Sequence, residues 1–381
     1  MFLSLIACTP SQPPPQPKNV IVVMIDTLRF DQIDEKSAPF ITQLRKEGLS
    51  YENAWSTSSW TAPSTASFFT GLHPIEHGIY RGFIASFESQ QTQTIQLNIF
   101  DPSIPTIAEK YKAAGYHTYG VASNVNIGSD IGFDRGFDHF FLDEEAYARE
   151  LSQKILSWEP KEPYFMYIHY NDVHSPYLSR EPWYQPKTDK IQDIQSSYRS
   201  EISYVDSYIE QLYRMFSWNT DTLLLISDHG EEFMDHGQMG HLETLYRELT
   251  QILFVLHDPQ VKPEIRSEPT SLTDAHHLLL QNSHLSSPAS PSPAISQRVG
   301  KEKERWSITT AEWRLVDKEL YRSTDLSEKN NLALQYPETV QLLQQEIDTF
   351  IAQKGRKQAV YKELTLGQNN IEMLKELGYI E

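Results

Sequence analysis

Cysteine is almost absent. The 381-residue chain has one, Cys8, which excludes an intrachain disulfide and a cysteine-built metal centre. Basic residues are scarce as well: 33 Lys and Arg stand against 51 Asp and Glu, a net charge of −18. The clustered cationic surface of a nucleic-acid binder is therefore missing. Long apolar runs are lacking too, since nothing beyond the first residues approaches the ~18 continuous apolar positions of a membrane helix. No internal repeat is evident. What is present, 39% hydrophobic with 12% aromatic residues, is the composition of an enzyme-sized globular body, as one large domain or a domain with a smaller partner. An acidic protein can still process anions where a metal reverses the local field.

Cys8 closes the string Leu5-Ile6-Ala7-Cys8, which resembles a bacterial lipobox, and "TPSQPPPQP" behind it is a Pro-rich tether. The apolar stretch is short and has no basic n-region. Two readings stand: a lipoprotein signal remnant and tether over residues 1–17, or a few apolar residues ahead of the fold. The first gives an expectation of membrane attachment through lipidated Cys8 and a place in the bacterial cell envelope.

From residue 18 onward, strand and helix signals alternate. "NVIVVMI" at 19–25, "YFMYIHY" at 164–170, "DTLLLIS" at 221–227 and "TQILFVL" at 250–256 are short continuous apolar runs, the mark of strands buried on both faces. "YHTYGVAS" reads as another strand. Helix patterns lie between them, in "APFITQLRKEG", in "IPTIAEKYKAAG" and from about Ser196 to Phe216. The economical fold is an α/β sheet covered on both faces, spanning residues 18–281. Residues 282–298 are Ser/Pro-rich and read as a loop or linker. Over 299–381, "WSITT", "EWRLVD" and "ELYRS" predict short strands, and a helix runs from about Pro337 to Ala352: a small C-terminal β subdomain.

Polar residues gather where the strands end, the place where open α/β sheets build sites. Asp26 follows the first strand, Asp228 and His229 follow "LLLIS", and His169, Asp172 and His174 accompany "YFMYI". Carboxylates with imidazole suit divalent Zn, Mn or Fe, with Ca or Mg favoured as oxygen ligands increase. "SDHGEEFMDHGQMGH" at 227–241 is the densest stretch, with His229, His236 and His241 among four carboxylates. It is either an acidic solvated loop or the heart of a site. "SSWTAPSTASFFTGL", Ser58 to Leu72, sets a hydroxyl cluster against an apolar helix. Pro63 suits the first helical position, which puts Thr61 and Ala62 at the N-cap edge. The stretch is an ordinary capped helix, or it presents the Thr61 oxygen at a positive helix end, where an alkoxide is stabilised.

"NVIVVMIDTLRFDQ", "SSWTAPSTASFFTGLHPIEHG", "GFDRGFDHF", "HYNDVHSPY" and "SDHGEEFMDHGQMGH" occur in the order found in the sulfatase family of the alkaline phosphatase superfamily. "ELYRSTDLSEKNNLA" and the closing "LKELGYIE" also resemble that family, so the likeness runs from about Asn19 to the end. It implies an alkaline-phosphatase-like α/β/α sandwich with a mixed, mostly parallel central sheet and a small C-terminal β subdomain. It implies a divalent metal (Ca, Mn or Zn) on Asp26, Asp228 and His229, with Thr61 at the nucleophile position against it. His174 matches the histidine that contacts the substrate's anionic group, and His241 the one near the leaving group, with Leu242 in place of the family's following glycine. His236 is a weaker candidate, and Arg29 fits a common "DTLR" form. Sulfatases carry Cys or Ser at the nucleophile position and oxidise it to formylglycine. Thr61 cannot give that aldehyde, because its carbinol carbon also bears a methyl group. Thr65 replaces the motif arginine, Thr27 replaces a second metal-binding acid, and "VASN" at 121–124 lacks the pattern's lysine and histidine. The implied activity is hydrolysis of a sulfate or phosphate-type ester of a small molecule or glycan, phosphoester favoured by the threonine. The alternatives are a cell-envelope phospho-group transferase using the same covalent intermediate, and a catalytically silent binding protein.

Overall fold

Val20–Ile25 forms strand β1 with every residue buried, and its alternation divides the molecule. Val20, Val22 and Met24 enter one apolar core, while Ile21, Val23 and Ile25 enter the other, as the two-residue period of a strand requires. These are features of a computed structural model, which describes residues 18–367 apart from 91, 93, 242, 289, 301 and 302, together with residue 371. The Cys8 string, the tether, Leu242 and "LKELGYIE" lie outside the described residues.

Seven more strands join β1: β2 (Leu49–Tyr51), β3 (His117–Ala122), β4 (His139–Leu142), β5 (Tyr164–Tyr170), β6 (Thr222–Ser227), β7 (Phe254–His257) and β8 (Glu264–Arg266). Their order across the sheet is β8-β2-β7-β6-β1-β5-β3-β4. Only β7 runs antiparallel to its neighbours β6 and β2; the other pairs are parallel. The expected mixed, mostly parallel sheet is present, with helices on both faces. One face is covered by α1 (Pro39–Glu47) and the helices Ala148–Trp158 and Lys190–Met215, through Phe40, Leu151 and Ile202. The other is covered by α2 (Thr61–Thr70) and the helices Ile107–Ala113 and Leu272–Asn282, through Phe68, Phe69, Ile107 and Leu279.

Two sequence expectations shift. Helix α2 starts at Thr61, with Trp60 as its cap, so Pro63 is the third residue rather than the first. The first turn tolerates it because those N–H groups have no intrahelical partner. The helix ends at Gly71, whose φ of 73° and bond to the Ser67 carbonyl make a left-handed stop. A Cβ there would also lie 2.6 Å from the His276 ring. The second shift concerns the Ser/Pro-rich stretch. It is not irregular throughout, because Ala294–Val299 is strand β9, paired with β10 (Glu304–Thr309) over six residue pairs. Its alternation of Ile295, Gln297 and Val299 against Ser296 and Arg298 fits a strand, and proline ends at Pro293. β11 (Trp313–Val316) and β12 (Glu319–Arg322) complete an antiparallel meander. Helix Pro337–Lys354 seals it with Leu343, Ile347 and Phe350 against Ile295, Ile308, Leu315 and Leu320. β9 also touches the catalytic side: Gln297 N–H donates to the Thr57 carbonyl at 2.8 Å and Ser296 Oγ to that of Ser56 at 2.7 Å.

Candidate active site

Register brings the acids together. Ile25 of β1 pairs with Ser227 of β6, so the next residues, Asp26 and Asp228, emerge side by side at the carboxyl end of the sheet. On the other flank Met24 pairs with His169 of β5. Asp26, Asp228, His229 and Thr61 are all buried. Helix α2 aims its first residue at them: Thr61 Oγ1 lies 3.2 Å from His229 Nε2, and 3.5 and 3.4 Å from Asp26 Oδ1 and Oδ2.

The donor set defines what the cluster holds. His229 Nδ1 sits 2.8 Å from the Gly230 carbonyl. A carbonyl only accepts, so Nδ1 carries the hydrogen and Nε2 turns its lone pair toward the acids. Burial, with help from the nearby His241 charge, pushes the His229 pKa down to about 3, so the ring is neutral. Nε2 then faces Asp228 Oδ2 at 3.4 Å and Asp26 Oδ1 at 3.7 Å. Asp228 Oδ2 is buried with no hydrogen-bond partner among the described residues. Asp228 Oδ1 is served by the backbone N–H groups of His229 and Thr27. One atom each from Asp26, Asp228 and His229 lie within 4.8 Å of one another. Three ligand atoms of this kind converging on one point fit a divalent cation.

The charges around the cluster agree with that reading. Burial and the Asp26 charge hold Asp228 well above the ordinary carboxylate range. Burial also opposes ionisation of Asp26, yet the His169 hydrogen bond and the nearby His174, His169 and His229 outweigh it and hold Asp26 below that range. A cation between the two relieves this conflict.

The remaining candidates fall into three places. His241 borders the cluster, its ring centroid 4.6 Å from that of His229 and its Nδ1 2.9 Å from Glu231 Oε1. His174 sits outside it, half-buried, with its centroid 5.0 Å from that of His241 and Nδ1 donating to the Ser175 carbonyl. His236 is elsewhere. Its Nδ1 meets Glu248 at 2.6 Å and its ring stacks on Tyr246, so it braces the loop. Arg29 braces the same loop through Asp31, Asp235 and the Glu231 carbonyl. Thr65 is buried beneath the site against Met24 Sδ. Thr27 adopts a φ of 54°, and its Oγ1 is buried without a partner among the described residues.

A family model described as Sulfatase matches residues 18–283. This chain belongs to the sulfatase family. It is 21% identical over 262 residues to arylsulfatase J of Mus musculus, a match covering 56% of this chain and 42% of that protein. It is 23% identical over 175 residues to human (Homo sapiens) N-sulphoglucosamine sulphohydrolase, covering 42% and 32%. It is 22% identical over 244 residues to an arylsulfatase of Klebsiella aerogenes, covering 52% and 50%. The chain thus spans half or less of these curated relatives. Among solved structures it resembles phosphonate monoester hydrolase SpPMH from Silicibacter pomeroyi, with a TM-score of 0.72, 14% identity and coverage of 89% and 96%. The phosphonate monoester hydrolase of Agrobacterium radiobacter gives 0.73, 15%, 92% and 97%, and the 2-O GAG sulfatase BT1596 gives 0.71, 15%, 89% and 93%. The sulfatase-family fold therefore extends over most of the chain.

Three neighbours of the cluster escaped the sequence reading as site residues. Asn124 donates to Asp26 Oδ2 at 2.7 Å. His169, noticed only as a polar residue on its strand, approaches the same oxygen at 3.1 Å. Glu231, one of four carboxylates in its loop, is the partner of His241. Position at a strand end was the available signal for the first two.

Proposed function

We propose that this sulfatase-family chain is a metal-dependent hydrolase of phosphate-type esters that uses Thr61 as its nucleophile. The observation that carries the reading is the approach of Thr61 Oγ1 to within 3.5 Å of both Asp26 oxygens and of His229 Nε2, at the start of α2. The N–H groups of the first turn of α2 and its positive end favour an anion at that point. A divalent cation on Asp26, Asp228 and His229 supplies Lewis-acid charge that lowers the pKa of a neighbouring hydroxyl and offsets charge on the ester.

This chain's residues then divide the work. Thr61 gives its hydroxyl proton to solvent and attacks phosphorus through Oγ1, and the bond from phosphorus to the leaving oxygen breaks. His241 supplies the proton that the leaving oxygen needs. Water then attacks the phospho-threonine and gives a proton to His241, the bond from phosphorus to Oγ1 breaks, and the Thr61 oxygen regains its proton from solvent. His174 orients the anion from outside. Because the Thr61 carbinol carbon bears a methyl group, the formylglycine route is closed to it. The phosphonate monoester hydrolases named above support a phosphorus substrate on this fold, and the GAG sulfatase supports a glycan leaving group. Lipidation of Cys8 and residence in the cell envelope complete the proposal, supported by the lipobox-like string.

The test is a panel of nitrophenyl sulfate, phosphate, phosphodiester and phosphonate, each with Ca2+, Mn2+ or Zn2+, with and without an acceptor alcohol. Turnover of at least one phosphorus ester is expected, and Thr61→Ala should lower it by a factor of about 10²–10⁴. Equal rates for variant and parent overturn the assignment. Turnover only when the alcohol is present makes the protein a transferase.

A further inference from the structure

We infer that Asn124 and His169 are positioning residues that fix the rotation of the Asp26 carboxylate, occupying Oδ2 so that Oδ1 is kept for the cation. The inference rests on the metal reading above and deepens it.

Asn124 has no capacity left for substrate. Its Oδ1 accepts the Asn126 backbone N–H at 2.9 Å, which fixes which end of the amide is which. Its Nδ2 bonds Asp26 Oδ2 at 2.7 Å and Asn171 Oδ1 at 3.1 Å. Two amide hydrogens and the carbonyl are all in use. The amide lies at the end of β3, in the segment where the family pattern has lysine, and it is neutral and short. It therefore holds the carboxylate without adding charge beside the cation.

His169, on the strand between β1 and β3, completes the hold. Its Nε2 lies 3.1 Å from Asp26 Oδ2, and since a carboxylate only accepts, Nε2 carries the hydrogen. Nδ1, at the other side of the ring, lies 2.8 Å from the Tyr167 hydroxyl. The chain Tyr167–His169–Asp26 is wholly buried. Asp26 Oδ2 thus receives donors from both Asn124 and His169. Oδ1 has neither of these donors: it faces His229 Nε2 at 3.7 Å, and the Thr61 hydroxyl is shared, 3.5 Å from Oδ1 and 3.4 Å from Oδ2. A carboxylate free to rotate would present either oxygen, or both, and the ligand geometry beside Thr61 would blur. Partners of this kind orient ligands and contribute about 10–100-fold to metal affinity or activity.

The experiment titrates Mn2+ alone into the chelator-stripped full chain by calorimetry, beside melting of the same apo samples. Asn124→Ala and His169→Leu should each weaken Mn2+ binding by about 10–100-fold. His169→Gln, which keeps a donor toward Asp26, should stay nearer the parent. A merely structural role would lower the apo melting temperature and leave Mn2+ affinity unchanged. Folded Asn124→Ala with parental affinity overturns the inference. If His169→Leu does not fold, Asn124→Ala and His169→Gln decide. A parent that takes up no Mn2+, Ca2+ or Zn2+ overturns the metal reading and the inference together, whereas a binding parent with equally binding variants overturns the inference alone.

Discussion

Glu231 is buried, and each of its carboxylate oxygens is assigned: Oε1 to the His241 ring and Oε2 to the Tyr177 hydroxyl at 2.7 Å. Burial alone would push the His241 pKa down, but the charge and hydrogen bond of Glu231 outweigh it and raise the pKa above the ordinary histidine value. A histidine that donates a proton works below its pKa, so turnover falls as pH rises through it. Glu231→Gln keeps the shape and removes the charge. The alkaline limb of kcat/KM should therefore move to lower pH, and pH–rate profiles of variant and parent check it; a limb that stays put removes Glu231 from this role. Nothing in the letters Gly230-Glu231-Glu232 singles out one acid over the next. Only folding turns Glu231 inward, and sequence alone could not rank it above its neighbours. Asp26, Asp228 and His229 were legible for the opposite reason, because they follow strongly apolar runs whose ends could be placed, whereas Thr61 was read from its place in the family motif.

At the scale of elements, the turn after β6 is the tightest constraint. A Cβ on Gly230 would lie 2.0 Å from the Glu248 carbonyl oxygen, so this backbone passes where no side chain fits. Gly230→Ala must displace His229 or the short helix Arg247–Thr250. It should cost about 1–3 kcal/mol of stability and weaken Mn2+ binding, read by denaturant unfolding and calorimetry; a variant with parental values would show that the turn yields freely. Strands of continuous Val, Ile and Leu were legible because burial on both faces leaves no other reading. The antiparallel β7 and the strand β9 were harder. "TQILFVL" resembles its parallel neighbours in composition although only Phe254–His257 is strand, and β9 follows directly on a run of Ser and Pro. The helix α2 was placed two residues late because Pro63 was taken as its first residue, and a third-position proline satisfies the same backbone chemistry. Strand Thr94–Ile99 pairs with Val360–Thr365, a contact between distant segments that local patterning does not encode.

For the molecule as a whole, stability is tied to protons held away from the cation site. Asp172 is buried, and that burial, together with the Glu201 charge, outweighs the Ala148 N–H bond and Arg180 and pushes its pKa up to about 7. The folded state therefore holds this proton more tightly than the unfolded chain does. The resulting stabilisation is complete below the ordinary carboxylate pKa, near 4, and is lost as pH rises through 7. Asp172→Asn still accepts from Ala148 but carries no charge, so its melting temperature should decline less between pH 5 and 8; a slope equal to the parent's would remove Asp172 as the cause. The parallel strands also give the body a direction. The segment through β1 leads from Lys18, held by Asp258 at 2.6 Å, to Asp26, a climb of about 26 Å at ~3.3 Å per residue. The chain thus enters at one pole and the acids, Thr61 and the histidines gather at the other. On the proposed Cys8 anchorage, the pole joined to the lipid along the chain is the Lys18 end of the body, not the end that carries the acids.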